Sequence, residues 1–266
     1  MRTELTEVLR LRAGTMKLEV HPNRRAASAA AAKAAALALD ELGKRSYPVG
    51  VIFATGASQI DTLDELTATA GLPWDRVCGF HMDDYIGLAT DHPASFQHYL
   101  REKLTDKVPI RQFFNIDGND PDTEQTCLNY TAKLRSANPQ LCLLGIGENG
   151  HLAFNDPELA DFEDPLDVKV VHLDTVCRKQ QAAEGWFNNF REVPEHAITL
   201  TIPALFRVPK LVVSVLGSRK ADIMRRTLEA PISTECPATI LRTHPDVTLY
   251  LDQESAASLD KQGLLK

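Results

Sequence analysis

Apolar and polar positions along this chain fall into two alternating kinds of segment. Short, near-continuous apolar runs such as "YPVGVIFATG" (47–56), "QLCLLGIG" (140–147) and "KLVVSVLG" (210–217) read as strands buried on both faces. Longer amphipathic stretches stand between them. "MKLEV" predicts a short strand, and the Ala-rich stretch from about Arg25 to Leu42 a helix stopped by Gly43. "IDTLDELTATAG" reads as a helix closed by Gly71, "RVCGFHMDDY" (76–85) as one strand, and "HPASFQHYLREKL" (92–104) as a helix with Pro93 in its first turn. "FFNIDG" and "PDTEQTCLNYTAKLRS" (121–136) add a strand and a helix, and a strand near "DVKVVHLD" (167–174) leads into a helix through about Phe190. The apolar run "HAITLTIPALF" (196–206), the helix "SRKADIMRRTLEA" (218–230) and the strand "VTLYLD" (247–252) complete the order. This alternation predicts an α/β fold: a doubly wound, mostly parallel sheet with helices on both faces, Rossmann-like in plan. One domain is expected over residues 1–266, because no Pro-, Gly- or Ser-rich stretch offers a linker. In such sheets ligands sit at the carboxyl ends of the strands, so the loops that follow them are the places to seek chemistry.

Charge narrows the classes of partner. The net charge of −7 is spread along the chain, and basic residues gather only in pairs such as Arg24-Arg25 and Arg225-Arg226, which argues against nucleic acid. The N-terminal stretch lacks the apolar core of a secretory signal, and no apolar segment reaches the roughly 18 residues needed to span a bilayer. No membrane partner and a cytoplasmic location are therefore expected. Cys78, Cys127, Cys142, Cys177 and Cys236 are odd in number and widely spaced, which fits reduced thiols rather than a disulfide frame or a zinc site.

Four loops after strands carry unusual polar content. In "ATGASQ" (54–59) a strand ends in glycine and a helix begins, so Gly56, Ala57 and Ser58 offer N–H groups at the positive end of a helix dipole to a phosphate, or Ser58 simply caps the helix. In "FHMDDYIGL" (80–88) two carboxylates stand side by side. Neighbours on a strand face opposite ways, so one of Asp83 and Asp84 faces a site while the other caps or turns the loop. A metal held by His81 and Asp83 is a weaker alternative, lacking a third ligand at a recognisable spacing. "LLGIGENGHLAFNDP" (143–157) sets Glu148, Asn149, His151, Asn155 and Asp156 within nine residues on a glycine-rich backbone. His151 is suited to moving a proton near neutral pH, with Asn149 and Asp156 placed to orient its ring. In "VLGSRKAD" (215–222), Arg219 and Lys220 crowd a helix start that disfavours cations, which suggests an anion between them, although a solvated basic pair is the plain alternative.

Together these loops resemble the glucosamine-6-phosphate deaminase (isomerase) family, within a superfamily shared with 6-phosphogluconolactonases and ribose-5-phosphate isomerases. The match runs in order from "ATGAS" to "VTLYLD", with "LLGIGENGHLAFNDP" its most specific motif, then "MDDYIGL" followed by "HPASF", with "VLGSRKA" in support. The resemblance implies the fold of that family and a small-molecule sugar phosphate as partner, with neither cofactor nor metal. It implies Asp83 as the base that moves a proton from carbon 2 to carbon 1, His151 as the ring-opening acid/base and Asn149 as its support. Asp156 stands where the family usually has Glu. Gly56, Ala57, Ser58 and Lys220 match the phosphate site. The family's phosphate-clamping arginine aligns with Gln181, which leaves Arg178 or Arg219 as substitutes. The implied reaction is isomerisation with deamination of an amino sugar 6-phosphate, with glucosamine 6-phosphate giving fructose 6-phosphate and ammonia. A lactone hydrolase of the same fold, or a sugar-phosphate-binding module without turnover, are the alternatives. A homo-oligomer is left open, and the regulatory site of the family's hexameric members, which have a longer C-terminal extension, is not carried over.

Overall fold

The computed structural model describes residues 7–173, 175–183 and 185–259. In chain order the elements are β1 (Leu9–Ala13), β2 (Met16–His21), α1 (Arg24–Arg45), β3 (Val49–Phe53), α2 (Ala57–Ala68), β4 (Val77–His81), β5 (Asp83–Tyr85), α3 (Phe96–Leu100), β6 (Gln112–Phe114), α4 (Thr123–Ala137) and β7 (Leu141–Leu144). Then come β8 (Val168–His172), α5 (Thr175–Ala183), β9 (His196–Leu200), α6 (Ile202–Phe206), β10 (Lys210–Val215), α7 (Ala221–Glu229) and β11 (Val247–Asp252). The main sheet has the order β1-β2-β11-β10-β7-β3-β4-β6. All its neighbours pair in parallel except β1 with β2.

Period-two side-chain alternation divides the core into two layers. On β3 and β7, Val49, Val51, Phe53, Leu141 and Leu143 face the alanines of α1 and the leucines of α2, while Ile52, Cys142 and Leu144 face α4 and α7 on the other side. The expected α/β fold with helices on both faces is therefore present. The Ala-rich α1 does more than favour helix. Its small buried side chains (Ala31, Ala32, Ala35) let it lie close over the middle of the sheet. The helix runs through Gly43 to Arg45, against the expected stop. Gly43 answers to packing instead, since a Cβ there would stand 2.5 Å from the Pro73 ring.

Three further expectations are corrected. The stretch 76–85 is not one strand: it leaves the main sheet after His81, and β5 joins a separate antiparallel sheet of order β5-β9-β8. The polar pair Asp83-Asp84 could not remain in the middle of the main sheet without burying both carboxylates among apolar faces. The helix expected from residue 92 begins at Phe96, capped by the Ser95 hydroxyl, so Pro93 lies before its first turn, and the helix expected through Phe190 ends at Ala183. All five cysteines are buried free thiols, as expected. Among the described residues no helix is long and apolar enough to cross a membrane.

Along the main sheet, β3, β4 and β6 succeed one another in one direction and β7, β10 and β11 in the other. The order reverses between β3 and β7, and the loops leaving their carboxyl ends diverge there into a crevice.

Candidate active site

The crevice is a cavity of about 300 Å³ whose lining includes Thr55, Gly56, Ala57, Ser58, Asp83, Gly147, Glu148, His151, Gly217, Ser218, Arg219 and Lys220. Three of the four polar loops thus open into it directly, and the fourth, 80–88, supplies Met82 and Asp83.

Two helix starts meet here in nearly the same conformation. Gly56 caps α2 with φ 96° and ψ 169°, and Gly217 caps the 3-10 turn before α7 with φ 90° and ψ 158°. Positive φ at both caps requires glycine in practice, and no Cβ intervenes between the backbone and a ligand. Each loop is fixed from behind. Gln59 donates to the Leu144 carbonyl at the end of β7, and the Gly217 N–H donates to the Asp252 carboxylate at the end of β11. Lys220 extends along the wall and donates to the Ile146 carbonyl at 2.8 Å, while Arg219 stands 3.5 Å from Glu148.

Asp83 is 6 % exposed and points into the cavity, and among the described residues nothing donates a hydrogen bond to its carboxylate. Burial, reinforced by the neighbouring Asp84, pushes its pKa well above the usual carboxylate range. Asp84 turns the opposite way and accepts from the backbone N–H groups of Tyr85, Phe96 and Gln97, bracing the start of α3. Burial raises its pKa to about 6 against the lowering effect of those donors. The pair therefore divides as the strand alternation predicts. His81 belongs to neither role: fully buried, it accepts the Ile116 N–H through Nε2 at 2.6 Å, and burial lowers its pKa to about 3. It does not line the cavity with Asp83, which removes the proposed two-residue metal site.

The loop 145–156 explains its own glycines. Gly150 (φ 91°) and Ala153 (φ 52°) reverse the backbone, the Gly147 N–H donates to the His151 carbonyl, and the His151 ring lies against Gly147, where a Cβ would come within 2.2 Å of it. The carboxylate Oδ1 of Asp156 accepts from His151 Nδ1 at 3.0 Å and from Asn149 Nδ2 at 2.6 Å, and Asn149 Oδ1 in turn accepts the His151 N–H. Aspartate thus reaches the ring in spite of its shorter side chain. Burial alone would raise the Asp156 pKa, but the hydrogen bond and electrostatic attraction of His151, with the donors from Asn149 and Cys177, outweigh it and hold the carboxyl below its ordinary value. With Nδ1–H donating to an acceptor, the neutral ring keeps Nε2 as a proton acceptor. Asn155 is structural: buried, it donates to the Leu152 and Leu200 carbonyls.

Of the two arginines offered for the clamp, Arg178 is excluded. It donates to the Val193 and Phe190 carbonyls, pairs with Glu195 and lies over the Phe190 ring. Cys177 and Gln181, four residues apart, form the buried face of α5, and Arg178 is turned about 100° from Cys177 by the helical period. Gln181 itself lines the cavity and accepts the Tyr85 hydroxyl at 2.8 Å. The sequence reading missed Arg24, Tyr99, Trp186 and Glu254, which also line the cavity. Arg24 and Glu254 were within reach, since each follows a strand end (β2 and β11). Tyr99 and Trp186 arrive by tertiary packing alone, edge to face with each other.

The sequence matches the family described as glucosamine-6-phosphate isomerases/6-phosphogluconolactonase over residues 22–250. It is 34% identical over 218 residues to a glucosamine-6-phosphate deaminase of Bacillus cereus, covering 82% of this chain and 80% of the relative. A glucosamine-6-phosphate deaminase of Listeria innocua is 32% identical over 224 residues, covering 84% of this chain and 94% of the relative. Among solved structures, a monomeric glucosamine-6-phosphate deaminase superposes with a TM-score of 0.82 at 29% identity, covering 91% of this chain and 99% of that one. The 6-phosphogluconolactonase of Trypanosoma brucei gives 0.75 at 19% identity, covering 91% and 98%, a likeness of fold.

Proposed function

The chain belongs to the family of glucosamine-6-phosphate isomerases and 6-phosphogluconolactonases, and from that premise we propose that it deaminates an amino sugar 6-phosphate, glucosamine 6-phosphate, to fructose 6-phosphate and ammonia. The observation that carries this reading is a carboxylate without a hydrogen-bond donor among the described residues, Asp83, in the same cavity as the His151–Asp156 pair and the two glycine-capped helix starts. Lactone hydrolysis has no use for a base aimed at carbon 2.

In this mechanism the phosphate sits on Gly56, Ala57, Ser58 and Lys220, with Arg219 beside it, and its binding places the sugar at the other end of the cavity. His151 Nε2 takes the proton of the anomeric hydroxyl and returns it to the ring oxygen as the C1–O5 bond breaks, leaving an open-chain aldehyde. Asp156 and Asn149 hold the ring in the tautomer that this requires. Asp83 then removes the carbon 2 proton, its basicity raised by burial, while a proton passes from the substrate's ammonium group to O1 to form an enolamine, and Asp83 delivers its proton to carbon 1. The resulting imine at carbon 2 adds water and expels ammonia, so one sugar phosphate and one water give one ketose phosphate and one ammonia.

A coupled assay of the purified protein against a panel of amino sugar 6-phosphates, following ammonia and ketose phosphate separately, tests this directly. Equal yields of both products from glucosamine 6-phosphate are expected. Consumption of 6-phosphogluconolactone without ammonia from any amino sugar would replace the reading with a lactonase, and tight binding without any turnover would replace it with a binding module.

A further inference from the structure

The anion-binding end of the cavity contains a cation that none of the four loops supplies. Arg24 is the first residue of α1, and its side chain crosses to the start of α2, where it lines the cavity with Thr55, Gly56, Ala57 and Ser58. Its Nε donates to the Asp61 carboxylate at 2.5 Å and one terminal nitrogen donates to the Ala57 carbonyl. A guanidinium carries five N–H donors in a fixed fork. Among the described residues, Nη1 of Arg24 has no hydrogen-bond partner.

We propose that Arg24 is a phosphate-binding residue of this site and sets its preference for a phosphorylated sugar, which rests on the function proposed above. The neighbouring groups favour it over the alternatives. Gln181 is neutral and already accepts the Tyr85 hydroxyl, and Arg178 is held by the Phe190–Glu195 segment outside the cavity. Arg219 stands on the β10 loop beside Glu148, and Lys220 donates to the Ile146 carbonyl. Arg24 instead sits at the α2 start itself, beside the backbone N–H groups that would hold the anion, and its fork allows two parallel bonds to phosphate oxygens that a lysine cannot match. A cation in the first turn of α1 is also disfavoured by the helix dipole, so a second anion beside Asp61 relieves an existing cost. Asp61 acts as the resting partner that keeps the guanidinium extended toward the loop before ligand arrives.

The test uses titration calorimetry of the purified protein with inorganic phosphate, glucosamine 6-phosphate and glucosamine, in an Asp83→Asn parent that binds the substrate without turning it over, and in the same parent carrying Arg24→Gln, Arg24→Lys or Asp61→Asn. Arg24→Gln is expected to weaken both phosphate ligands by about 10- to 100-fold, the range of a charge-assisted hydrogen bond, and glucosamine by less than about twofold. Arg24→Lys should fall between. Asp61→Asn removes the negative charge that holds Arg24 but keeps the guanidinium, so phosphate affinity should hold or rise. Asp61→Asn weakening phosphate as much as Arg24→Gln would make Arg24 a brace between helices and overturn the inference, as would equal losses for glucosamine and its phosphate. A parent protein that binds no phosphorylated sugar, with a wild type that releases no ammonia, would overturn the proposed function as well, whereas binding that ignores Arg24 overturns only this assignment.

Discussion

Asp83 and Asp156 are both buried carboxylates, and their surroundings push them in opposite directions. Asp156 receives donors and is held ionised as a fixed acceptor for the His151 ring, whereas Asp83 receives none from the described residues and burial beside Asp84 raises its basicity. That contrast is the acid–base division that the proposed mechanism needs. Asp83→Asn is expected to lower kcat by about 10²- to 10⁴-fold while leaving sugar-phosphate affinity nearly unchanged, since the shape is kept and the base removed. Hydrogen–deuterium exchange at carbon 2 is the measurement, and wild-type exchange in the variant would remove Asp83 from the mechanism. Stability should move the other way. A carboxyl with a raised folded pKa contributes stability at low pH that is lost as pH rises through that pKa, and an asparagine side chain has no proton to lose. Melting temperatures of the Asp83→Asn variant and wild type should therefore diverge in favour of the variant as pH rises beyond the ordinary carboxylate range. Asp84, raised to about 6, adds its own loss between about pH 4 and 6 to both proteins.

At the scale of elements, the site depends on how loops leave strands. The β7 loop holds its histidine by a contact that only glycine permits, because the His151 ring occupies the space of a Gly147 Cβ. Gly147→Ala is expected to displace the ring by about an ångström, enough to cost roughly 100-fold in kcat, and to destabilise the protein by about 1–3 kcal/mol through local overpacking. Phosphate affinity should be nearly unchanged, because the helix starts at Gly56 and Gly217 are separately anchored through Gln59 and Asp252. Steady-state kinetics with a phosphate titration measures both, and an unaltered kcat would show that the ring tolerates the methyl group. The departure of β5 from the main sheet matters equally. It places Asp83 in the cavity and leaves Asp84 to brace α3, a division that one continuous strand would have buried on either side.

For the whole molecule, the proposed base Asp83, the proposed ring-opening His151 and the anion-binding groups at Gly56 to Ser58 and Lys220 converge on one cavity within a protomer. Specific activity is accordingly expected to stay constant over about a thousandfold dilution, since those groups already meet within one protomer. A fall on dilution, matched by a change in sedimentation, would show that a second copy contributes. The sequence by itself determined the alternating elements and the strand ends that form the crevice, because periodicity and glycine placement are local properties that a short window records. The choice of Asp83, His151, Asn149 and Asp156 as one set came from the family resemblance and not from local pattern. Only the tertiary structure decided that 76–85 divides between two sheets, that Gly43 makes room for Pro73, that Arg178 turns away from the cavity and that Arg24 enters it. Arg24 lies about thirty residues before the loop it meets. Its position follows from how α1 and α2 pack over β3, a non-local contact that no local pattern encodes.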